Sequence, residues 1–522
     1  MSALQIGWST RELSLDQPML LPGQIYTRIS KKVQDPQYVT ALCIDGGTPD
    51  ATVLFLSCDT ILLRDGVIEE TKARVAALRP KLPISAIVMN ATHTHTGGAV
   101  FETPEHSPDG SPIFSGIAYR EFFVQQCAEA ACEAWDRRKA GAFSYGYSYT
   151  VVGHSRRVVY RDDTSLRTSN ALYYDVASLK QEAALVAPNG HGVMYGNTND
   201  PMFSHYESGA DPIMNLLFTF DEEQKLTGIV INVPCPSQLS EHFSELTADY
   251  WNEVRLLAKE AFGTDVYVLP QCAAAGDVSP RALHYKQAQE RKMRLKYGLG
   301  YDLEKIDLHD ADDRNKVMAE RREIAERIVL GAQEVFRWAC KDICHDAPVC
   351  HLSRTLQLPR RLVTQKERDW CLENIKALDA MLQSASGTDA DSLRISFLTS
   401  VRNRNLRTVQ RFEDQANNPT LTTTCHVIRL GDIAFATNQF ELYTDYMHRI
   451  QTQSPFVQTF VVQLAGSEWG SYLATERAIQ NKGYSASVFC NFASPEGGQL
   501  LVDETLDMLR LTAQQQDPER SR

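Results

Sequence analysis

The sequence predicts an α/β fold with a large mixed sheet core and surrounding helices. Three observations lead there: short apolar runs bounded by turn residues, helix-periodic segments between them, and polar or glycine-rich stretches immediately after several of the runs. Tyr38–Ile44 ends in AspGlyGly and Thr52–Ser57 in CysAspThr, which reads as two core strands joined by a hairpin-like turn. Residues 66–79 place Val67, Ile68, Val75 and Leu78 at helical spacing, and the apolar run Ile84, Ala86, Ile87, Val88, Met89 follows as a strand. Strand, helix, strand is the repeating unit of an α/β sheet.

Further along, 117–139 reads as a helix and 141–153 as an aromatic, alternating strand ending at Gly153-His154-Ser155-Arg156-Arg157. Residues 213–234 give two strands, the second, Leu226–Val233, running into Pro234-Cys235-Pro236-Ser237-Gln238. Ala248–Phe262 reads as a helix and Val266–Leu269 as a strand. Residues 286–340 are dense in charge with helical periodicity from Asn315 to Cys340, the pattern of a solvated helix face. A strand and a helix follow over 352–382, then a flexible loop, SerAlaSerGlyThrAspAlaAspSer, at 384–392. With no internal repeat and no clear linker, residues 1–510 are expected to form one catalytic domain, and 511–522 a disordered tail.

Composition excludes some functions. A net charge of −12 argues against a nucleic-acid partner, which would select a basic surface. No segment is long and apolar enough to span a bilayer, and the N-terminus has no basic region followed by an apolar one. The twelve cysteines are scattered, several inside apolar runs (Cys43, Cys58, Cys127), as expected of reduced buried thiols. These features predict a cytoplasmic protein acting on a small-molecule substrate.

The most informative stretch for chemistry is 90–98, AsnAlaThrHisThrHisThrGlyGly, at the end of an apolar run. Alternate residues of a strand face one way, so His93 and His95 are expected to project together, where two imidazoles suit a divalent metal. A polar strand end is the plainer reading of the same pair. Glu441 follows another apolar strand, in GlyAspIleAlaPheAlaThrAsnGlnPheGluLeuTyr. Tyr472 and Tyr484 lie in glycine-flanked loops. Cys340, Cys344, His345, Cys350 and His351 cluster at spacings that match no structural zinc motif, and Cys425-His426 lies inside a strand-like run.

Taken in order, AsnAlaThrHisThrHisThrGlyGly, GlnCysAlaAlaAlaGlyAspValSerPro (271–280), the Glu441 segment and GlySerTyrLeuAlaThr with its later GlyTyr resemble the neutral/alkaline ceramidase superfamily of zinc amidohydrolases. ThrArgIleSerLysLysValGln (27–34) resembles the family's N-terminal region, and the likeness spans about residues 4 to 505. The resemblance implies a ceramidase-like catalytic domain and one zinc ion, held by His93, Glu441 and Tyr472. It implies that His95 is an acid/base or substrate-orienting group, that Tyr484 stabilises the transition state, and that Arg156 lies near the scissile carbonyl. Ser279 matches a serine proposed as a nucleophile, although a structural role in its tight turn is an equal reading.

The chain departs from the family at one place. Members carry a second histidine ligand in a stretch like AsnPheAlaThrHis, and here AsnValProCysProSer puts Pro236 in the histidine's place. His242 is the expected replacement, with a Cys235 thiolate or no replacement as alternatives; Gln238 and Glu241 are close enough to add polar contacts. The expected activity is hydrolysis by a metal-activated water, with an amide bond ahead of an ester or glycosidic one. A soluble polar substrate is preferred to a sphingolipid, because the chain shows no signal segment, no membrane-binding apolar stretch and no extra C-terminal β domain. A metal-assisted lyase and a non-catalytic ligand-binding scaffold are the alternative readings.

Overall fold

The computed structural model describes residues 4–163, 190–298, 311–385, 389–466 and 470–514. Its largest sheet has eight strands, in the spatial order Tyr267–Cys272, Leu226–Val233, Ile213–Asp221, Lys139–Tyr149, Gln5–Glu12, Tyr38–Asp45, Thr52–Cys58, Ile87–Ala91. Neighbours are antiparallel except at the two edges. There Thr52–Cys58 runs parallel to Ile87–Ala91, and Leu226–Val233 parallel to Tyr267–Cys272. Parallel neighbours need a crossover, and the helices Val67–Leu78 and Tyr250–Phe262 supply the two crossovers. The expected α/β class with a large mixed sheet is therefore what the chain adopts.

The sheet curls so that its two edges meet. Ser57 Oγ donates to the carbonyl of Pro270 at 2.5 Å, and Asn90 Nδ2 to the same oxygen at 3.4 Å. A second sheet, Val349–Pro359, Thr420–Leu430, Ile433–Thr437 and Gln458–Val462, packs on the first, with the Phe55 and Phe435 rings 4.9 Å apart in one apolar cluster. Its last two strands are also parallel. Backbone bonds then tie the strand ends together: Gln463 N–H to Cys272 O at 3.0 Å, Ala273 N–H to Val233 O at 2.8 Å, and Ala91 N–H to Leu464 O at 3.2 Å. The loops leaving these strands share one region, the usual place for a site in an α/β sheet.

Several elements differ from their sequence-based expectation. Ile84–Ala86 is a short 3-10 turn after Pro83, and the strand begins at Ile87. The charged segment folds as Lys286–Tyr297 and Ala311–Ala339, and the second helix is no simple solvated face. Arg321 is fully buried on it, with Nη2 2.8 Å from both Asp35 and Glu253. The loop expected at 384–392 is shorter, because Gln365–Ser384 and Asp389–Asp414 are helices; residues 386–388 lie outside the described residues. The final helix, Pro495–Gln514, runs into the expected tail, whose remainder lies outside the described residues. All twelve cysteines are free thiols. Among the described residues no helix is long and apolar enough to cross a membrane.

Candidate active site

His93 and His95 do converge, but not by strand alternation. The strand stops at Ala91, and His93 takes a left-handed backbone conformation with φ 64°, which costs a non-glycine residue free energy and re-aims its side chain. The two Nε2 atoms lie 3.3 Å apart with the rings edge to face. Gly23 closes the far side of His95: its φ is +111°, and a Cβ there would sit 2.7 Å from Nδ1 of the imidazole. Arg28 holds the loop from below, donating to the carbonyl of His95 at 2.5 Å and to that of Phe243 at 2.7 Å.

Glu441 and Tyr472 are register partners in a two-residue parallel bridge. The Glu441 carboxylate lies 3.4 Å from His93 Nε2. Burial raises its pKa, but His93, Arg156 and a hydrogen bond from Tyr472 outweigh this and hold it below the ordinary value. The turn 271–280 explains how this segment is placed. Gly276 packs against the Glu441 backbone so closely that a Cβ would come within 2.3 Å of its carbonyl oxygen. Asp277 accepts from Thr444 N–H at 2.9 Å and from its hydroxyl at 3.0 Å, anchoring the helix Thr444–Gln453 that follows.

Arg156 gathers the remaining groups. Its Nη2 donates to Tyr472 Oη at 3.2 Å and to Gly276 O at 2.9 Å; its Nη1 donates to Tyr195 Oη and Gln238 Oε1, both at 3.1 Å. Arg157 next to it works on the scaffold. It pairs with the buried Glu207 and donates to Lys482 O at 2.7 Å and Ser485 Oγ at 3.2 Å, so it fixes the loop that carries Tyr484. The Tyr484 ring lies 6.3 Å from that of Tyr472, and burial pushes its hydroxyl up to about 12.

The region around Pro236 differs from expectation. His242 meets Glu241, with Nε2 3.4 Å from Oε1, and does not line the cavity that His93 and Glu441 share. Cys235 belongs to an apolar cluster with its Sγ on the Pro236 carbonyl, and burial raises the thiol, which disfavours the thiolate a metal requires. Glu241 is the residue that reaches the histidine pair: Oε2 lies 3.6 Å from His95 Nδ1 and accepts from Gln24 and Gln238, each at 3.1 Å. Ser279 stays in its own turn, where its hydroxyl accepts from Arg281 N–H at 3.1 Å, and it does not line the cavity.

That cavity, about 220 Å³, is lined by His93, His95, Glu441, Tyr472 and Tyr484. Its wall also carries Arg404, Arg407 and Arg411, from the helix Asp389–Asp414. Sequence reasoning missed these three; their one signal is helical spacing in a segment that follows a loop-like stretch.

The donor set fits a cation in type. His93 Nδ1 meets the Ile61 carbonyl at 2.9 Å, so Nδ1 carries a proton and Nε2 is the nitrogen that faces Glu441 and His95 and could serve a cation. His95 Nδ1 is buried without a hydrogen-bond partner. If His95 Nε2–H donates to His93, that bare Nδ1 faces the Glu241 carboxyl; the other tautomer brings two lone pairs together. A cation beside the Nε2 atoms resolves both conflicts. Among the described residues no three His, Cys, Asp or Glu side chains form a closed cluster, so Tyr472 would have to complete the set. Burial, with His93, Arg28 and Arg156, pushes His95 well below the ordinary imidazole value, so it is neutral near pH 7.

No protein-family model and no curated protein sequence matches the chain. The fold does match solved structures. Neutral ceramidase from Pseudomonas aeruginosa superposes with a TM-score of 0.64 at 14% identity, over 98% of this chain and 75% of that one. A ceramidase complexed with C2 gives 0.60 at 13% identity, over 97% and 75%. The convergent strand ends, the curled mixed sheet and these superpositions lead to one conclusion: the chain has a neutral ceramidase-like fold, in a form far diverged in sequence.

Proposed function

We propose that this protein is a metal-dependent hydrolase of amide bonds in small polar molecules. The observation that carries the reading is the convergence of His93 Nε2, His95 Nε2 and the Glu441 carboxylate on one cavity, with Tyr472 held between Glu441 and Arg156. His93, Glu441 and Tyr472 would hold the ion. When bound, zinc supplies Lewis acidity, lowering the pKa of a water to about 7 and polarising a carbonyl.

The chain's own groups do the rest. Neutral His95, with Glu241 on its far nitrogen, can accept the proton released by the attacking water and return it to the leaving amine nitrogen. Tyr484, which lines the cavity, stabilises negative charge developing on the carbonyl oxygen, while Arg156, whose four Nη hydrogen bonds are already made, acts by holding Tyr472 and Gln238 in place. Overall the water oxygen joins the carbonyl carbon, the C–N bond breaks, and an acid and an amine leave. Burial of these groups makes each interaction stronger than it would be in water.

The test pairs elemental analysis with product analysis. Purified protein should contain close to one equivalent of metal, lost in His93→Ala and Glu441→Ala, and hydrolysis in labelled water should place solvent oxygen in the acid product. Metal retained in both variants, or an unsaturated product without solvent oxygen, would sink the reading.

A further inference from the structure

The cavity's cationic wall speaks to what it binds; the inference rests on the amide-hydrolase reading and deepens it. Arg404, Arg407 and Arg411 sit at i, i+3 and i+7 on one helix, so they form a stripe along one face. They are not equivalent. Arg411 is a strut, its donors taken by the carbonyls of Val488 (2.6 Å), Arg361 (3.1 Å) and Asn491 (3.1 Å) and its guanidinium lying 4.7 Å from the centre of the Phe492 ring.

Arg404 and Arg407 are different. Arg404 Nη2 donates to Tyr484 Oη at 3.2 Å, while its Nη1 is buried and has no hydrogen-bond partner. A buried guanidinium N–H left unmade is costly, and such an orphan in a native cavity calls for a missing acceptor. Arg407 has no hydrogen bond or ion pair among the described residues, and the charged groups bearing on it are Arg404 and Arg64, both cations. Arg64 stacks over Phe101, 4.6 Å from its centroid, on the same cavity wall. Arg64 is paired with Asp65 at 2.6 Å, whereas Arg404 and Arg407 have no carboxylate partner among the described residues, and two such neighbouring cations repel unless an anion sits beside them. In a chain of net charge −12 this local reversal of sign stands out from the background.

We propose that Arg404 and Arg407 bind an anionic group of the substrate, a carboxylate or a phosphate, so that the enzyme cleaves amides of small acids. A planar guanidinium presents paired donors that match either oxyanion. The location is productive: Arg404 is one hydrogen bond from Tyr484, whose ring faces Tyr472, so an anion held there leaves the rest of a short molecule beside Glu441 and His93. Ile61, Leu62 and Phe489 on the same wall suit a short acyl chain. At about 220 Å³ the space is small for a long one.

The experiment is calorimetric titration of the full-length, metal-loaded protein with N-hexanoylglycine and with its neutral counterpart N-hexanoylglycinamide, repeated on Arg407→Gln, Arg407→Lys and Arg404→Gln. The acid is expected to bind about tenfold more tightly than the carboxamide. Arg407→Gln should reduce that advantage to near parity, and Arg407→Lys should keep part of it. Arg407 is exposed, so its variants test the idea even if the more buried Arg404→Gln fails to fold. Equal binding of acid and carboxamide by the native protein, or an undiminished advantage in Arg407→Gln, would overturn the proposal. N-hexanoyl-O-phosphoethanolamine separates the two oxyanions: tighter binding than the acid identifies phosphate, weaker binding carboxylate. Following cleavage in parallel separates the two readings: selective binding without cleavage removes the hydrolase, and cleavage without charge preference removes the anion site.

Discussion

Arg156 Nη2 and Tyr472 Oη meet at 3.2 Å across 316 residues of sequence, and the same nitrogen also donates to the Gly276 carbonyl. One guanidinium thus joins the strand after Gly153, the turn before Ser279 and the loop after Gly470. A lysine cannot fill all four acceptors. Arg156→Lys is expected to lower kcat on an amide substrate by about 100-fold with metal content unchanged. Steady-state kinetics beside elemental analysis checks this; an unaltered kcat would remove Arg156 from its role in positioning Tyr472.

Gly23 is the closest test of His95 orientation that does not touch an ionisable group. Gly23→Ala meets both a disallowed φ of +111° and the imidazole ring at 2.7 Å. It should destabilise the fold by about 1–3 kcal/mol. Activity should fall too, because the ring must turn. Denaturant unfolding together with kinetics measures both, and a variant indistinguishable from native would show that the loop gives way freely.

Arg321 lies between the buried Asp35 and Glu253 carboxyls. Arg321→Ala leaves both without their cation and should cost about 3–5 kcal/mol at neutral pH. Burial already raises Glu253 despite Arg321, so the variant should recover stability as the pH falls and that carboxyl takes a proton. Urea midpoints at several pH values would reveal this; a pH-independent loss would contradict it.

His448 offers a pH signature away from the site. Its Nε2 lies 3.1 Å from Asp211, and that hydrogen bond raises its pKa above 6.5 in the folded chain. The stabilisation is full below the unfolded value of 6.5 and is lost as pH rises through the folded value. Because the imidazole is half exposed, the contribution should be under ~1 kcal/mol. The stability gap between native protein and His448→Gln should therefore close on the alkaline side; a gap that widens there would refute the pairing.

Much of this arrangement is legible in the sequence. The apolar runs before His93, Pro234 and Glu441 mark core strands whose ends meet, and turn 271–280 keeps its glycine because the Glu441 backbone passes within contact of it. What the sequence hides is tertiary. Charge density over 286–340 describes a solvated face, and nothing local reveals that Arg321 finds two carboxylates from distant segments. Glu241 reads only as a polar neighbour of the Pro236 stretch until the curled sheet brings it beside His95. The Arg404 stripe has a readable period, yet its target is a cavity made by other parts of the chain.

The left-handed backbone of His93 has an evolutionary corollary. Glycine or asparagine would relax that backbone while giving up the ring's contact with the Ile61 carbonyl, so selection for stability alone sets the conformation of this position against its side chain. Under the proposed function, stabilising campaigns on this scaffold should therefore hold position 93 constant, because the residue that eases the backbone there is not one that can supply an imidazole.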